Sequence, residues 1–427
     1  MSTLLRLAVS ARARGAPAPP PPATTLLGVG SASTSLVDYP KTASATTGDW
    51  YVDPVGGNDS NAGTSVGAAF ATLGKALSEV SDGQTILVRA GTLTPSSRFI
   101  RSTSWATGIN VWNYGTERPV LSAASLGSGT NSRILTLTGA NEHWKGFHVR
   151  DVDQSTQAVY IDGSDYTLED VWVSHCLGDG IYVANFGSGA SDNVIQDCAV
   201  WRLGDGTTQD TNVPDCFVAT GNTSSPTLGN RFVRCFAAHG PDDGIDLFRA
   251  RNTRVVDSVV YRSGRYWNNN RAGDGNGFKM GGGDNDSGDN HATGCLALAC
   301  HLDGFAHNQA RNDTGTDPNI VFAFSTAVDN GRLGFDAGGD VSSQPNVLRD
   351  AIMNGNATAR YVGSFATESR TTSTLSISDP QFAAPGSWDY SLAVGSACIG
   401  AGLGGDNLGA SELALEIAKE WLAKDLS

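Results

Sequence analysis

The chain has 427 residues, of which 29 are Lys or Arg and 43 are Asp or Glu, for a net charge of −14. So acidic a chain lacks the basic face that nucleic acid requires, and no apolar run approaches the ~18 residues of a membrane span. With 40% hydrophobic residues and 52 glycines, general disorder is excluded, and a turn-rich, strand-rich chain with little helix is expected.

The first 48 residues read as a leader and tether. The apolar stretch at 4–9 is interrupted by Arg6 and followed by Arg12 and Arg14, which is not the charge-then-apolar order of a secretory signal. Pro17 and Pro19 to Pro22 then form a stiff polyproline spacer. A tether joining the body to a larger assembly is the sharper reading, a disordered leader the plainer one. Either sets the expected location as extracellular, surface-bound or virion-associated, without a clear signal peptide.

Next, Trp50-Tyr51-Val52-Asp53-Pro54 precedes a short helix with Phe70, Leu73, Leu77 and Val80 on one face, and a strand follows at 85–91. This unit, 49–91, is expected to cap the open first rung of a solenoid.

From about 140 to 340 five pentads match one another: Glu169-Asp170-Val171-Trp172-Val173, Gln196-Asp197-Cys198-Ala199-Val200, Val233-Arg234-Cys235-Phe236-Ala237, Val256-Asp257-Ser258-Val259-Val260 and Thr293-Gly294-Cys295-Leu296-Ala297. They start 27, 37, 23 and 37 residues apart, and each is expected to be a strand. A turn and a second short strand follow each, as in Asp179-Gly180-Ile181, Asp215-Cys216-Phe217, Asp243-Gly244-Ile245, Asn276-Gly277-Phe278 and Asp303-Gly304-Phe305. Repeats of two or three strands, with insertions confined to the turns, describe the rungs of a parallel β-solenoid. A β-sandwich would not place matching residues in columns. Cys198, Cys235 and Cys295, with Ser258 in the remaining repeat, predict an interior ladder of small side chains. Seven cysteines without CxxC or Cys/His spacing argue against zinc or a disulfide scaffold. Residues 378–400 read as the close of the solenoid. The segment 411–424 reads as a short helix with Leu413, Ile417 and Trp421 on one face. It either caps the body or meets a partner chain, so the termini are where a homo-oligomer or particle assembly would form.

Two of the second strands carry chemistry. Alternation sends Ile245 and Leu247 inward and Asp246 outward, and likewise Phe278 and Met280 inward and Lys279 outward. Asp246 and Lys279 are therefore expected about 5 Å apart on neighbouring rungs. Asp215, one rung earlier, holds the column position of Asp243, and Asp242 sits beside it. Four carboxylates on one patch repel unless a cation or a proton relieves them. Oxygen-only ligands suit Ca²⁺ better than zinc. Asp-Gly is also common in turns, which would account for Asp243 but not for Asp246 within its strand. Lys279 is the only lysine between residues 146 and 418, where every other fixed cation is Arg. Lysine, unlike arginine, can give up its proton at workable pH; a salt-bridged surface lysine is the plainer alternative.

The motifs Pro241-Asp242-Asp243-Gly244-Ile245-Asp246-Leu247-Phe248 and Gly275-Asn276-Gly277-Phe278-Lys279-Met280-Gly281-Gly282 resemble those of the family 9 polysaccharide lyases. These are calcium-dependent pectate lyases with a right-handed parallel β-helix. The resemblance covers roughly 50–340 in architecture and 215–308 in motif. It implies an all-β, right-handed parallel β-helix over 49–402, with an N-terminal capping helix, catalytic rungs at about 165–340 and a C-terminal tail, 403–427, carrying a short helix. Carried over, Asp242, Asp243 and Asp246 would hold Ca²⁺. Asp215 would be the fourth ligand, although Cys216 stands where the family shows Gly. Lys279 would be the base that starts β-elimination of a uronic-acid polysaccharide. Arg249, Arg251, Arg262, Arg265 and Arg271 lie in or near the flanking loops; Arg249, Arg265 and Arg271 are the candidates for holding substrate carboxylates. Two rival readings stay open. One is a β-helix glycoside hydrolase using paired Asp carboxylates; the other is a non-catalytic carbohydrate-binding component of a phage tail or cell surface.

Overall fold

The computed structural model describes residues 43–424, apart from 127–132, 154–155, 187–188, 207–212, 223–224, 284–286, 309–318, 337–345, 358–366, 370, 373–374 and 376. The leader and polyproline spacer expected at 1–48 lie outside the described residues except for 43–48.

Period-2 segments too short to bury a face alone gain a core only by stacking on copies of themselves. Among the described residues three parallel sheets of twelve, ten and nine strands result. The first runs from Trp50–Val52 to Thr367–Ser369, the second from Gly91–Leu93 to Ile352–Asn354, and the third from Phe99–Arg101 to Phe335–Asp336. One coil passes through all three, as in Arg231–Val233, Phe236–Ala238 and Ile245–Asp246. The next repeats it in register with Arg254–Val256, Val259–Tyr261 and Phe278–Lys279.

The five pentads are corners, not single strands. Their second residues, Asp170, Asp197, Arg234, Asp257 and Gly294, have φ between +51° and +72° and separate a first-sheet strand from a second-sheet strand. Closing a coil needs this left-handed bend, which Asp and Gly tolerate best. The residue after the bend still points inward, so the sequence keeps the look of continuous alternation. That inward position carries the ladder of Cys198, Cys235, Ser258 and Cys295, all buried. The Cys235 amide donates to Ser258 Oγ at 3.1 Å, and the Cys295 amide to Ser325 Oγ at 3.3 Å, which extends the ladder one rung. All seven cysteines are free and buried. Burial pushes the Cys235 thiol up to about 12, so it stays a neutral core group.

At the N-terminal end the helix Leu73–Glu79 buries Leu73 and Ala76 in the core that Phe70 and Val80 also enter. Thr72 caps it by accepting from the Lys75 amide. At the other end, residues 378–400 contain Phe382–Ala384 and Asp389–Leu392, which pair antiparallel with each other rather than extending a rung. The helix Glu412–Leu422 lies on the outer face of the second sheet. There Trp421 meets Trp172, Trp201 and Phe236 at ring-centroid distances of 5.1–5.4 Å. Its inner face is Ala414, Ile417, Ala418 and Trp421, with Leu413 half-buried at the margin. The alternative left open for this helix is thus decided: it covers the chain's own sheet. Among the described residues no helix is long and apolar enough to cross a membrane.

Candidate active site

The third sheet positions the site. Its inward residues Phe278, Phe305 and Phe335 stack face to face with centroids 4.6 Å apart. That packing pins a strand only two residues long, Phe278–Lys279. With Phe278 locked inward, Lys279 points out. Asp246 lies directly beside it in register on the preceding rung. Lys279 Nζ sits 3.0 Å from Asp246 Oδ2 and 3.0 Å from Asp243 Oδ2.

Asp243 belongs to a second column, one turn earlier in each coil, where Asp and Asn side chains tie rung to rung. Asp179 Oδ1 accepts from the Asp215 amide at 3.1 Å, Asp215 Oδ1 from the Asp243 amide at 2.7 Å, and Asp243 Oδ1 from the Asn276 amide at 2.7 Å. Asn276 Nδ2 adds a second bond to Asp243 Oδ1 at 2.9 Å. One oxygen of each acid therefore serves the fold. In Asp215 and Asp243 the other is left for chemistry; in Asp179 it accepts from Gln157 Nε2 at 3.1 Å.

Cys216 fits this column because a corner of the following coil is open. A Cβ at Gly240 would come 2.7 Å from Cys216 Sγ, so the glycine at 240 makes the room that the missing glycine at 216 would have made. Asp215 keeps both its ladder bonds despite the substitution.

Ligand oxygens of Asp215, Asp242 and Asp243 all lie within 4.8 Å of one another. Asp242 is steadied by the Asp274 amide, which donates to its Oδ1 at 2.7 Å. Asp246 stands outside this group of three and faces Lys279, while Asp243 belongs to both the group of three and the pair of carboxylates that hold the lysine. Burial, reinforced by the charges of Asp246, Asp243 and Asp242, pushes the Asp215 carboxyl well above the usual range. Burial and the charge of Asp243 push Asp242 up to about 7. Asp246 is pushed up to about 6 by burial, even though the Lys279 ammonium opposes the shift. Burial alone would lower the Lys279 amine, but Asp246, Asp243 and Asp215 outweigh it and hold the ammonium firmly. Asp246 Oδ1 is buried without a hydrogen-bond donor, and Asp243 Oδ2 has the Lys279 ammonium beside it at 3.0 Å. Converging acids, raised proton affinities and an orphaned oxygen fit a hard divalent cation, whose preferred ligands are carboxylate oxygens.

The arginines divide. The Arg249 guanidinium lies 4.9 Å from the Phe248 ring, and Lys279 Nζ is 6.0 Å from the same ring, so Arg249 shares the site's border. Arg265 and Arg271 face each other across a loop bridge, and their charges act on His301. No contact joins either to Lys279 or to the acids among the described residues. Arg251 and Arg262 are likewise elsewhere: Arg251 pairs with Leu228, and Arg262 stacks on Tyr261.

Two members of the neighbourhood went unassigned in the sequence. Asp179 is the first carboxylate of the tying column, and Asn276 holds Asp243 in place; both sit in the Asx-Gly-apolar units and read there as turn residues. The Tyr182 hydroxyl is raised by burial and by the charges of Asp179, Asp246 and Asp215. This places a phenol at the same wall.

Comparison with known proteins gives three findings. The family model for the Pel9A-like, right-handed beta helix region matches residues 50–356. The chain is 30% identical over 303 residues to pectate lyase L of Dickeya dadantii (strain 3937), covering 66% of this chain and 68% of that protein. It is 29% identical over 308 residues to pectate lyase L of Paenibacillus polymyxa (strain SC2), covering 67% of this chain and 64% of that protein, just under two thirds of that relative's length. The structure of pectate lyase Pel9A superposes with a TM-score of 0.69 at 24% identity, covering 84% of this chain and 95% of that one, which establishes the shared fold.

Proposed function

This chain belongs to the Pel9A-like right-handed β-helix family, and on that premise we propose that it is a polysaccharide lyase, cleaving a pectate-like uronic-acid polymer by β-elimination. The observation that carries the reading is Lys279 Nζ at 3.0 Å from both Asp243 and Asp246, on an outward wall where Asp243 also converges with Asp215 and Asp242.

Asp215, Asp242 and Asp243, with Asp246 on the neighbouring strand, would hold Ca²⁺. Bound there, such an ion would draw charge from a substrate carboxylate and acidify the C–H next to it. Lys279 takes that proton from C5. The C5–H electrons form the C4=C5 double bond, the C4–O bond breaks, and the departing oxygen takes up a proton. As an ammonium pinned between two carboxylates, Lys279 cannot do this. It becomes a base only when those carboxylates are charge-compensated by something other than its own proton. Arg249 borders the site and is the arginine best placed for a substrate carboxylate. Such a polymer lies outside the cell that degrades it, which suits an extracellular or surface location.

The test is incubation with pectate in Ca²⁺ and in EDTA. The expected result is an absorbing unsaturated end with Ca²⁺, lost in EDTA and lost in Lys279→Ala. Reducing ends that rise without unsaturated product would indicate hydrolysis. Binding without any cleavage would leave a carbohydrate-binding protein.

A further inference from the structure

The outward column that holds Asp246 and Lys279 continues toward the N-terminal end of the body. Its register runs Thr136, Tyr160, Tyr182, Val218, Asp246, Lys279. With strands about 4.8 Å apart, Tyr182 lies about 14 Å and Tyr160 about 19 Å from Lys279. The two phenol rings stack at 6.0 Å with an interplanar angle of 17°. The Arg133 guanidinium, entering from the preceding rung, covers Tyr160 at 3.8 Å from the ring centroid. Arg133, Tyr160 and Tyr182 thus form a continuous stack in the same strand column as Lys279.

The nearby acids are largely committed. Asp179 accepts from Gln157 Nε2 at 3.1 Å as well as from the Asp215 amide. Asp162, next to Tyr160, accepts from the Phe186 amide at 3.3 Å. Arg133 is half-buried and held flat by the ring, a state in which its planar fork loses little freedom on meeting a carboxylate.

Resting on the reading of Lys279 as the reacting centre, we infer that Arg133, held on the Tyr160–Tyr182 stack, is a distal subsite for a carboxylate of the same polyuronate chain. A pyranose unit is about as long as a rung is high, so the subsite meets a sugar four to five units from the bond that breaks. The enzyme therefore distinguishes long chains from short ones, and Arg133 is the residue that does so. In a wall otherwise rich in carboxylates, it supplies the fixed cation that a polyanion needs at that end.

The experiment measures kcat/KM on oligogalacturonates of three to eight units for the native protein, Arg133→Ala, Arg133→Lys and Tyr160→Ala. The native value should climb until the chain reaches Arg133. Arg133→Ala should then lose on the order of tenfold on the long oligomers, through KM, and nothing on the trimer. Arg133→Lys should recover only part of this, and Tyr160→Ala should behave like Arg133→Ala because the fork is no longer held. Equal loss at every length, or no loss at any, overturns the inference. If the native protein cleaves none of them, the lyase reading fails. Calorimetric titration of the same oligomers then decides the subsite by itself: tighter binding of the hexamer that depends on Arg133 sustains it, and a hexamer affinity unchanged in Arg133→Ala overturns it.

Discussion

Replacing Lys279 by Ala separates what the lysine does for the fold from what it does for the reaction. Its ammonium is 15% exposed and touches two carboxylates at 3.0 Å each, Asp243 fully buried and Asp246 nearly so. Removing one member of such a buried pair costs about 3–5 kcal/mol, because the charge left behind is uncompensated. The acids have a way out, however. Asp246 already titrates at about 6 with the ammonium present, so without it the carboxyl takes up a proton at a cost of about 1.4 kcal/mol per unit of distance from its pKa. The expected loss of stability is therefore about 2–4 kcal/mol at pH 8 in EDTA, shrinking towards pH 5, where protonation is nearly free. Thermal unfolding of the native protein and the variant at both pH values reads this directly. Release of unsaturated product should fall by about 10²–10⁴-fold, the range for a lost general base. Lys279→Arg should return most of the stability and little of the activity. A stability loss that is the same at pH 5 and pH 8 would refute the pairing argument. Activity within tenfold of native in Lys279→Ala would refute the base.

Three further outcomes follow from the same geometry. Asp242 and Asp246 have folded pKa values raised to about 7 and about 6, so the stability they contribute is present below about pH 4 and is lost as pH climbs to 7. The metal-free protein should lose thermal midpoint over that window, and Ca²⁺ should restore it far more at pH 8 than at pH 5; a Ca²⁺ shift independent of pH would contradict Asp242 as a ligand. Asp242→Asn keeps the oxygen that accepts from Asp274 and removes a buried charge that opposes folding at high pH, so in EDTA at pH 8 it should raise the thermal midpoint while weakening Ca²⁺ binding at least tenfold; Asp243→Asn turns an amide toward the Lys279 ammonium and should destabilise by about 1–3 kcal/mol, both read by Ca²⁺ titration and thermal unfolding. Trp421→Ala removes the ring that closes the Trp172, Trp201 and Phe236 cluster and should cost about 3–5 kcal/mol with turnover per folded molecule unchanged; a loss of turnover at full stability would tie the C-terminal helix to the site.

The placement of Asp246 and Lys279 was legible because period 2 survives even in two-residue strands when the flanking positions are Ile, Phe, Leu and Met. The corners were not. Asp170 and Asp257 bend the chain at φ near +50°, yet the inward residue that follows preserves the alternation, so a bend and a strand have the same letter pattern. The role of Asp179 and Asn276 was hidden for a different reason. An Asx-Gly pair in a turn looks alike whether its carboxylate bonds its own turn or the next rung's amide, and only the register tells them apart. Arg133 lies far upstream of Lys279 in the chain, and nothing but counting rungs brings the two onto one wall.

That column of acids also accounts for how so concentrated a negative patch can exist in a folded chain. An isolated cluster of buried carboxylates would be opposed by desolvation and mutual repulsion. Here each acid in the ladder donates structural benefit first: Asp215 fixes the Asp243 amide, Asp243 fixes the Asn276 amide, and these amides would otherwise lie unpaired at the turn. The solenoid repeats the arrangement over the coils from Asp179 to Asn276, so the stacking that builds the fold also brings the spare oxygens to one place. What remains to be specified by the site alone is small. It is Asp242 beside the ladder, Asp246 on the neighbouring strand, and a lysine where the other coils place Val218 or Ala306. Substituting Ala306 by lysine would put an ammonium on the same wall one rung beyond Lys279 and two from Asp246, outside the reach of the Asp243–Asp246 pair, and by this reasoning it would create no second reacting centre.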